Sequence, residues 1–178
     1  MSGLLSHKEF DEACLDEVKD FNCGEEAWCV SVNEWIKNGD AIKFMKKRKT
    51  KILLYYNGEN EFVGYGSVGT SNWKSLFPED PNKRIMLLPF LEVQKEHQGK
   101  GYGHFICNHL IEEAQAYFLR EQARGVSIAP FLGLLVHPGN FDAKDLYRSV
   151  GFGDFGYYYV STDDGIRYEG MGRFLNLE

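Results

Sequence analysis

Gln98-Gly99-Lys100-Gly101-Tyr102-Gly103 sets glycine at three alternate positions. An apolar run, "RIMLLPFLEV" from Arg84 to Val93, leads into it. After it, apolar residues recur at helical spacing: Phe105, Ile106, Leu110, Ala114, Tyr117 and Phe118. Glycine adopts positive φ at little cost and lets a backbone approach a ligand closely. Successive amides at the mouth of a helix, aided by its dipole, make an anion site suited to a diphosphate. Lys100 adds a cation there. The stretch does not end in G-K-[ST], so it is not a Walker A loop. A turn that holds no ligand is the plain alternative. A second stretch, "GYGSVG" from Gly64 to Gly69, matches G-x-G-x-x-G letter for letter. The "TSNWKSLFPEDP" that follows it carries no helical pattern, so these glycines are expected within a strand or bulge.

Other groups could handle protons or metals. Glu92 is the one carboxylate between Ile85 and Val93. Burial would raise its pKa and make it a proton acceptor near neutrality. A position facing solvent, or a pairing with a cation, is the equal alternative. His97 is a further proton carrier, expected to be an exposed turn residue. The cysteines Cys14, Cys23, Cys29 and Cys107 form no C-x-x-C pair and have no histidine at finger spacing, so no metal site is expected.

These groups need elements to hold them. "EEAWCVSVNEWIKNGDAIKFMKKR" reads as one or two helices broken near Asn38-Gly39. "KILLYY" and "EFVGYGSV" read as a hairpin across Asn57-Gly58-Glu59-Asn60. "SNWKSLFPEDPNK" reads as a loop, and "RIMLLPFLEV" as a strand buried on both faces. After the long helix, "FLGLLV" is another buried strand. "NFDAKDLYRSV" is a short helix with Ala143, Leu146, Tyr147 and Val150 on one face. "FGYYYVST" and "IRYEGMGRFL" are two strands joined by Asp163-Asp164-Gly165. Residues 1–24 are polar and mixed, with weak strand signal near Leu4 and Leu5. The order predicts an α/β layer fold in a single domain, 1–178.

Composition suits such a domain. The 178 residues are 43% hydrophobic and 15% aromatic, enough for a core. The net charge of −6 argues against a DNA-binding protein. One exception is "KFMKKRKTK", which packs six cations between Lys43 and Lys51. The first residues lack the apolar core of a signal peptide, and no run approaches the roughly 20 apolar residues of a membrane span. A cytoplasmic protein with reduced thiols is expected.

Two stretches together resemble a known family. "LEVQKEHQGKGYGHF" resembles motif A of the GNAT superfamily of N-acetyltransferases, with Gln98, Gly99, Lys100, Gly101, Tyr102 and Gly103 fitting its Q/R-x-x-G-x-G/A signature. Further on, "VHPGNFDAKDLYRSVGF" resembles motif B through Asn140, Ala143, Leu146, Tyr147, Gly151 and Phe152. The resemblance covers Arg84 to Tyr159 well and 25–75 by order of elements. It implies a mixed sheet flanked by helices and splayed between two central strands, with Pro89 suited to the interruption. It implies acetyl-CoA as donor, without a metal. Pantetheine would pair with the backbone of Leu91 to Val93, and the pyrophosphate would sit on the amides of Gln98 to Gly103.

The resemblance implies attack by a neutral amine on a thioester. An alkylammonium of pKa ~10.4 must first lose a proton. Glu92 is the candidate base, with water as the alternative. Backbone N–H groups on the strand ending at Val93 would stabilise the oxyanion. Tyr147 would be the acid beside the sulfur, or simply a core aromatic, and both can hold. Asn140 would contact the cofactor, or cap the helix beginning at Phe141.

The acceptor is expected to be the primary amine of a small molecule or peptide. It would meet a wall drawn from Trp28, Trp35, Trp73, Tyr157, Tyr158 and Tyr159, with Glu25, Glu26, Asp163 and Asp164 available, unless these aromatics only fill core. A lesser alternative is a toxin acetylating aminoacyl-tRNA, which Phe21, Cys23, Gly24, Trp35 and Ile36 resemble, with Lys43–Lys51 on tRNA phosphates. A non-catalytic acyl-CoA-binding module is the third reading. No membrane partner is expected, and a homodimer is left open.

Overall fold

The computed structural model describes residues 5–73, 76–162 and 165–177. Leu4, Asp163 and Asp164, named above, lie outside the described residues. The chain forms two compact units, 1–67 with 90–107, and 68–89 with 108–178. Among the described residues there are eight strands, in parallel and antiparallel pairs as in a mixed sheet, flanked by helices.

In the first unit the strand order is β1 (Ser6–Glu9), β2 (Lys51–Tyr56), β3 (Phe62–Ser71) and β5 (Leu91–Val93). Between β1 and β2 lie a 3₁₀ turn, Glu12–Cys14, the short α1 (Leu15–Val18), α2 (Ala27–Lys37) and α3 (Asp40–Arg48). The expected break falls at Gly39, whose φ of 78° no β-branched residue would take comfortably. Asn38 Oδ1 accepts from Asp40 N–H at 3.0 Å in the turn that leads into α3. Phe21, Ile36, Ile52, Leu54 and Tyr65 are fully enclosed in this unit's core.

The expected continuous strand from Arg84 to Val93 is instead two. β4 (Arg84–Leu87) runs parallel to β6 (Ile128–Val136) in the second unit, and that ladder ends with Leu88 N–H donating to Gly133 O at 3.0 Å. Pro89 then offers no donor. Beyond it, Phe90 N–H donates to Ser67 Oγ and Phe90 O accepts from Ser67 N–H, both at 2.9 Å, and β5 pairs antiparallel with β3.

The G-x-G-x-x-G stretch, Gly64 to Gly69, lies in β3. Gly64 sits opposite Val93, and a Cβ there would run into Glu92 O and come within 2.9 Å of Val93 Cα. Its glycine is required by close strand approach.

The second unit orders the end of β3 with β4, β6, β8 (Arg167–Phe174) and β7 (Gly153–Val160). Trp73 stacks on Tyr157 with ring centres 4.5 Å apart, over Ile85 and Ala129. The helix α4 (Tyr102–Ala123) begins in the first unit and continues in the second. Its buried residues include Ile106, Leu110, Ala114 and Phe118, as its spacing predicts, and also Cys107 and Ile111, whereas Phe105 and Tyr117 are only half-buried. No described helix is long and apolar enough to cross a membrane.

Replacing Gly64 by alanine is expected to destabilise the fold by about 1–3 kcal/mol through overpacking against β5. Denaturant unfolding checks this, with Gly58→Ala, where a Cβ meets nothing within 4 Å, as the neutral control.

Candidate functional site

The site begins at β5. Gln94 N–H donates to Val63 O at 2.8 Å, and Ser67 N–H to Phe90 O at 2.9 Å. Hydrogen-bonded pairs alternate along an antiparallel ladder, so Leu91 and Val93 turn their backbone polar groups away from β3. Val93 O is taken by Gln98 Nε2 at 3.0 Å. That leaves the N–H and C=O of Leu91 and the N–H of Val93 facing away from β3.

After β5 comes a 3₁₀ turn, Lys95–His97, and then the glycines. Gly99 and Gly101 have φ of 73° and 83°. A Cβ at either would meet nothing within 4 Å, so conformation and not crowding demands glycine. Gly103 is not among the positive-φ glycines and lies in the first turn of α4. At the start of that helix Phe105 N–H donates to Gly101 O at 3.3 Å. The amides of Tyr102 and Gly103 therefore precede the helix's own ladder. Lys100 is exposed at the apex.

Side chains tie this turn to the segment before α2. Gln98 Nε2 also donates to Cys23 O at 2.7 Å, Lys95 N–H to Asn22 O at 2.8 Å, and Asn22 N–H to Gln94 Oε1 at 2.8 Å. Buried Asn33 accepts from Cys23 N–H at 2.9 Å and donates to Gly24 O at 3.0 Å.

Glu92 stands opposite Tyr65 across the β3–β5 pair. The residue keeps some solvent access, but protein crowds its carboxyl on most sides. That burial pushes the group up to about 8, and a hydrogen bond with the Cys23 thiol opposes the rise. No ion pair to Glu92 occurs among the described residues. Burial, with Glu92 next, raises the Cys23 thiol. The Cys29 thiol is pushed up to about 11, chiefly by burial. Burial and then the charge of Glu92 hold the Tyr65 phenol well above its usual range.

His97 is not the exposed turn residue expected. It is 7% exposed, its ring lies edge-on to Tyr102 at 6.0 Å, and its Nδ1 has no protein partner among the described residues.

The motif B residues lie in the second unit on α5 (Phe141–Ser149). Asn140 Oδ1 accepts from Ala143 N–H at 3.1 Å, so the side chain caps the helix. Tyr147 is buried against Phe152, ring centres 5.7 Å apart. Lys144 on the same helix is buried. Its Nζ donates to Pro138 O and pairs with Glu169, both at 2.7 Å. A lysine fits no apolar period, so nothing in the local pattern marks it. The structure thus gathers Leu91, Glu92, Val93 and Gln98–Gly103 in one unit, and Asn140 with Tyr147 on one helix of the other. Of the aromatics expected to wall an acceptor, Trp73 and Tyr157 fill the second unit's core. Tyr158 and Tyr159 are exposed on β7, and Trp28 and Trp35 are half-buried in the first unit.

The model of the acetyltransferase (GNAT) family matches residues 23–152, and the chain belongs to that family. Several solved structures share its fold. Ribosomal-protein-S18-alanine N-acetyltransferase from Escherichia coli has a TM-score of 0.64 and 18% identity, over 98% of this chain and 96% of that one. AtaTR bound with acetyl-CoA has a TM-score of 0.64 and 20% identity, over 96% and 93%. Spermidine N-acetyltransferase from Vibrio cholerae, in complex with CoA and spermine, has a TM-score of 0.62 and 13% identity, over 96% and 95%. No curated protein matches the chain by sequence. Membership implies acyltransferase activity with acetyl-CoA as donor.

The raised Glu92 carboxyl has a consequence for stability. Its folded value of about 8 exceeds the ordinary 4.5, so folding favours the protonated form. The associated stability is present at low pH and is lost as pH rises through about 8. Glu92→Gln, which cannot ionise, is expected to gain melting temperature relative to the native chain between about pH 5 and about pH 9. A difference that stays constant over that range would show the carboxyl to be unperturbed.

Proposed function

We propose that the chain is an N-acetyltransferase that moves the acetyl group of acetyl-CoA to a primary amine of a small molecule or peptide, with 1–178 acting as one domain. The observation that carries this reading is the turn at Gly99 and Gly101. It follows a strand with an outward-facing edge, after one 3₁₀ turn, and opens into α4. The residues present fit the donor. The amides of Gly99 to Gly103 would hold its diphosphate, with Lys100 adding charge and Gln98 bracing the turn. Leu91 and Val93 would pair with the pantetheine as a neighbouring strand would. Asn140 would add a contact beside its capping role.

Bound acetyl-CoA supplies an activated acyl carbonyl. The protein's part is to place that carbonyl, hold its oxygen, and manage protons. Outward N–H groups on β5 are oriented donors for the oxygen. Glu92 accepts the proton that an amine of pKa ~10.4 must shed. With its own pKa near 8, the carboxylate fraction grows as pH rises, so activity that depends on it climbs through about 8 and is lost in Glu92→Gln. Tyr147 is the proton donor to the leaving sulfur in this reading. Four buried cysteines held as thiols suit a reducing cytoplasm.

The cationic end of α3, with Lys46, Lys47 and Arg48, favours a second reading, transfer to aminoacyl-tRNA. Salt-sensitive acetylation of charged tRNA in preference to free amines would select it.

The test is calorimetric binding of acetyl-CoA, followed by thiol release across a panel of amines, peptides and charged tRNA. Absence of donor binding refutes the proposal. Gly101→Val is expected to weaken acetyl-CoA binding about tenfold or more, because a β-branched residue resists the φ the turn requires. Tyr147→Phe is expected to lower kcat roughly tenfold to a hundredfold with donor affinity unchanged, and an unaltered rate removes Tyr147 from proton transfer.

A further inference from the structure

An aromatic cluster in the first unit lies beside Glu92, and the transfer chemistry does not use it. Phe90 and Glu92 are two residues apart, so their side chains leave the same side of the chain as it extends into β5. Tyr65 stands opposite Glu92 on β3 and shares that face. Trp35 of α2 packs on Phe90 with ring centres 4.2 Å apart. Phe44 of α3 meets both edge-on, 5.6 Å from Trp35 and 5.8 Å from Phe90. Trp35 also lies 6.3 Å from Tyr65. Trp35, Phe44 and Phe90 are each half-buried, so part of the cluster's aromatic surface stays open. Tyr65 is 0% exposed, yet its Oη has no hydrogen-bond partner among the described residues. Leaving a buried hydroxyl unpaired is destabilising, and its persistence here marks a place for another molecule's polar atom.

We propose that Trp35, Phe44 and Phe90 form the apolar wall of the acceptor pocket, and Tyr65 and Glu92 its polar end. The pocket takes a primary amine borne on a single apolar or aromatic body. This rests on the acetyltransferase reading above. The amine's two kinds of need are met there: Glu92 receives its proton, and Tyr65 Oη donates to or accepts from its nitrogen. The apolar body covers aromatic surface that is otherwise wet. A polyamine is a poor fit. Its second ammonium finds no other carboxylate among these five residues, and the helix that bears Phe44 ends in Lys46, Lys47 and Arg48.

The test compares 2-phenylethylamine with butane-1,4-diamine, by calorimetry with and without acetyl-CoA and by thiol release. Phenylethylamine is expected to bind, and to be acetylated with a kcat/KM about tenfold or more above that of the diamine. Trp35→Ala and Phe44→Leu are each expected to raise its KM several-fold with acetyl-CoA affinity unchanged. If Trp35→Ala does not fold, Phe44→Leu, on a half-buried ring, decides alone. Tyr65→Phe is expected to raise KM while leaving Tm equal or higher, which a merely structural hydroxyl would not do. Preference for the diamine, failure of phenylethylamine to bind, or an unmoved KM in the wall variants overturns the pocket. Loss of acetyl-CoA binding in the native chain would instead sink the acetyltransferase reading, and amine binding, with its weakening in Phe44→Leu, would still judge the pocket.

Discussion

Between Leu88 and Phe90 the chain leaves one ladder and joins another. Leu88 donates to β6, Phe90 exchanges bonds with Ser67 of β3, and the proline between them has no N–H to commit to either. The geometry of the proposed donor site follows from this exchange. Because β5 takes its partners from β3, alternation sends the polar groups of Leu91 and Val93 the other way. Because Phe90 and Glu92 alternate with them, those two side chains share a face with Tyr65. The strand approach that permits this is close enough to exclude a side chain at Gly64.

The glycine turn is held before any ligand arrives. Gln98 reaches both the end of β5 and Cys23 O, while Gln94 and Lys95 engage Asn22 on either side of the same corner. Asn33 then fixes Cys23 and Gly24 from within α2. A loop already ordered gives up less conformational freedom on binding, which favours affinity for a flexible donor. The same stitches link the turn to the helix that carries Trp35. The supports of the proposed donor site and of the proposed acceptor wall are therefore one hydrogen-bonded structure within the first unit.

Much of this was legible in local pattern. The alternating glycines, the apolar entry and the helical exit mark the turn between β5 and α4, and Gly39 separates α2 from α3 as its neighbours suggest. Glu92 stands out as a lone carboxylate in an apolar run. Other features carry no local mark. Gly103 looks identical to Gly99 and Gly101, yet only the latter two take positive φ, because α4 has already begun at Tyr102. His97 looks like a turn residue and is buried under contacts that sequence spacing does not encode. Lys144 breaks the apolar face of α5 and is enclosed because Glu169, on a strand distant in sequence, supplies its counter-charge.

Chain-local chemistry decided where this protein turns, which segments wind or extend, and which backbone could present unpaired amides, since glycine, proline and capping residues act over a few positions. Packing between distant segments alone decided the rest: that Tyr65 stands opposite Glu92, that Trp35, Phe44 and Phe90 meet, and that the Glu92 carboxyl is held above its ordinary pKa. Desolvation and ring contact depend on what surrounds a group in space, and residues 35, 44, 65, 90 and 92 become neighbours only when the sheet and helices close on one another.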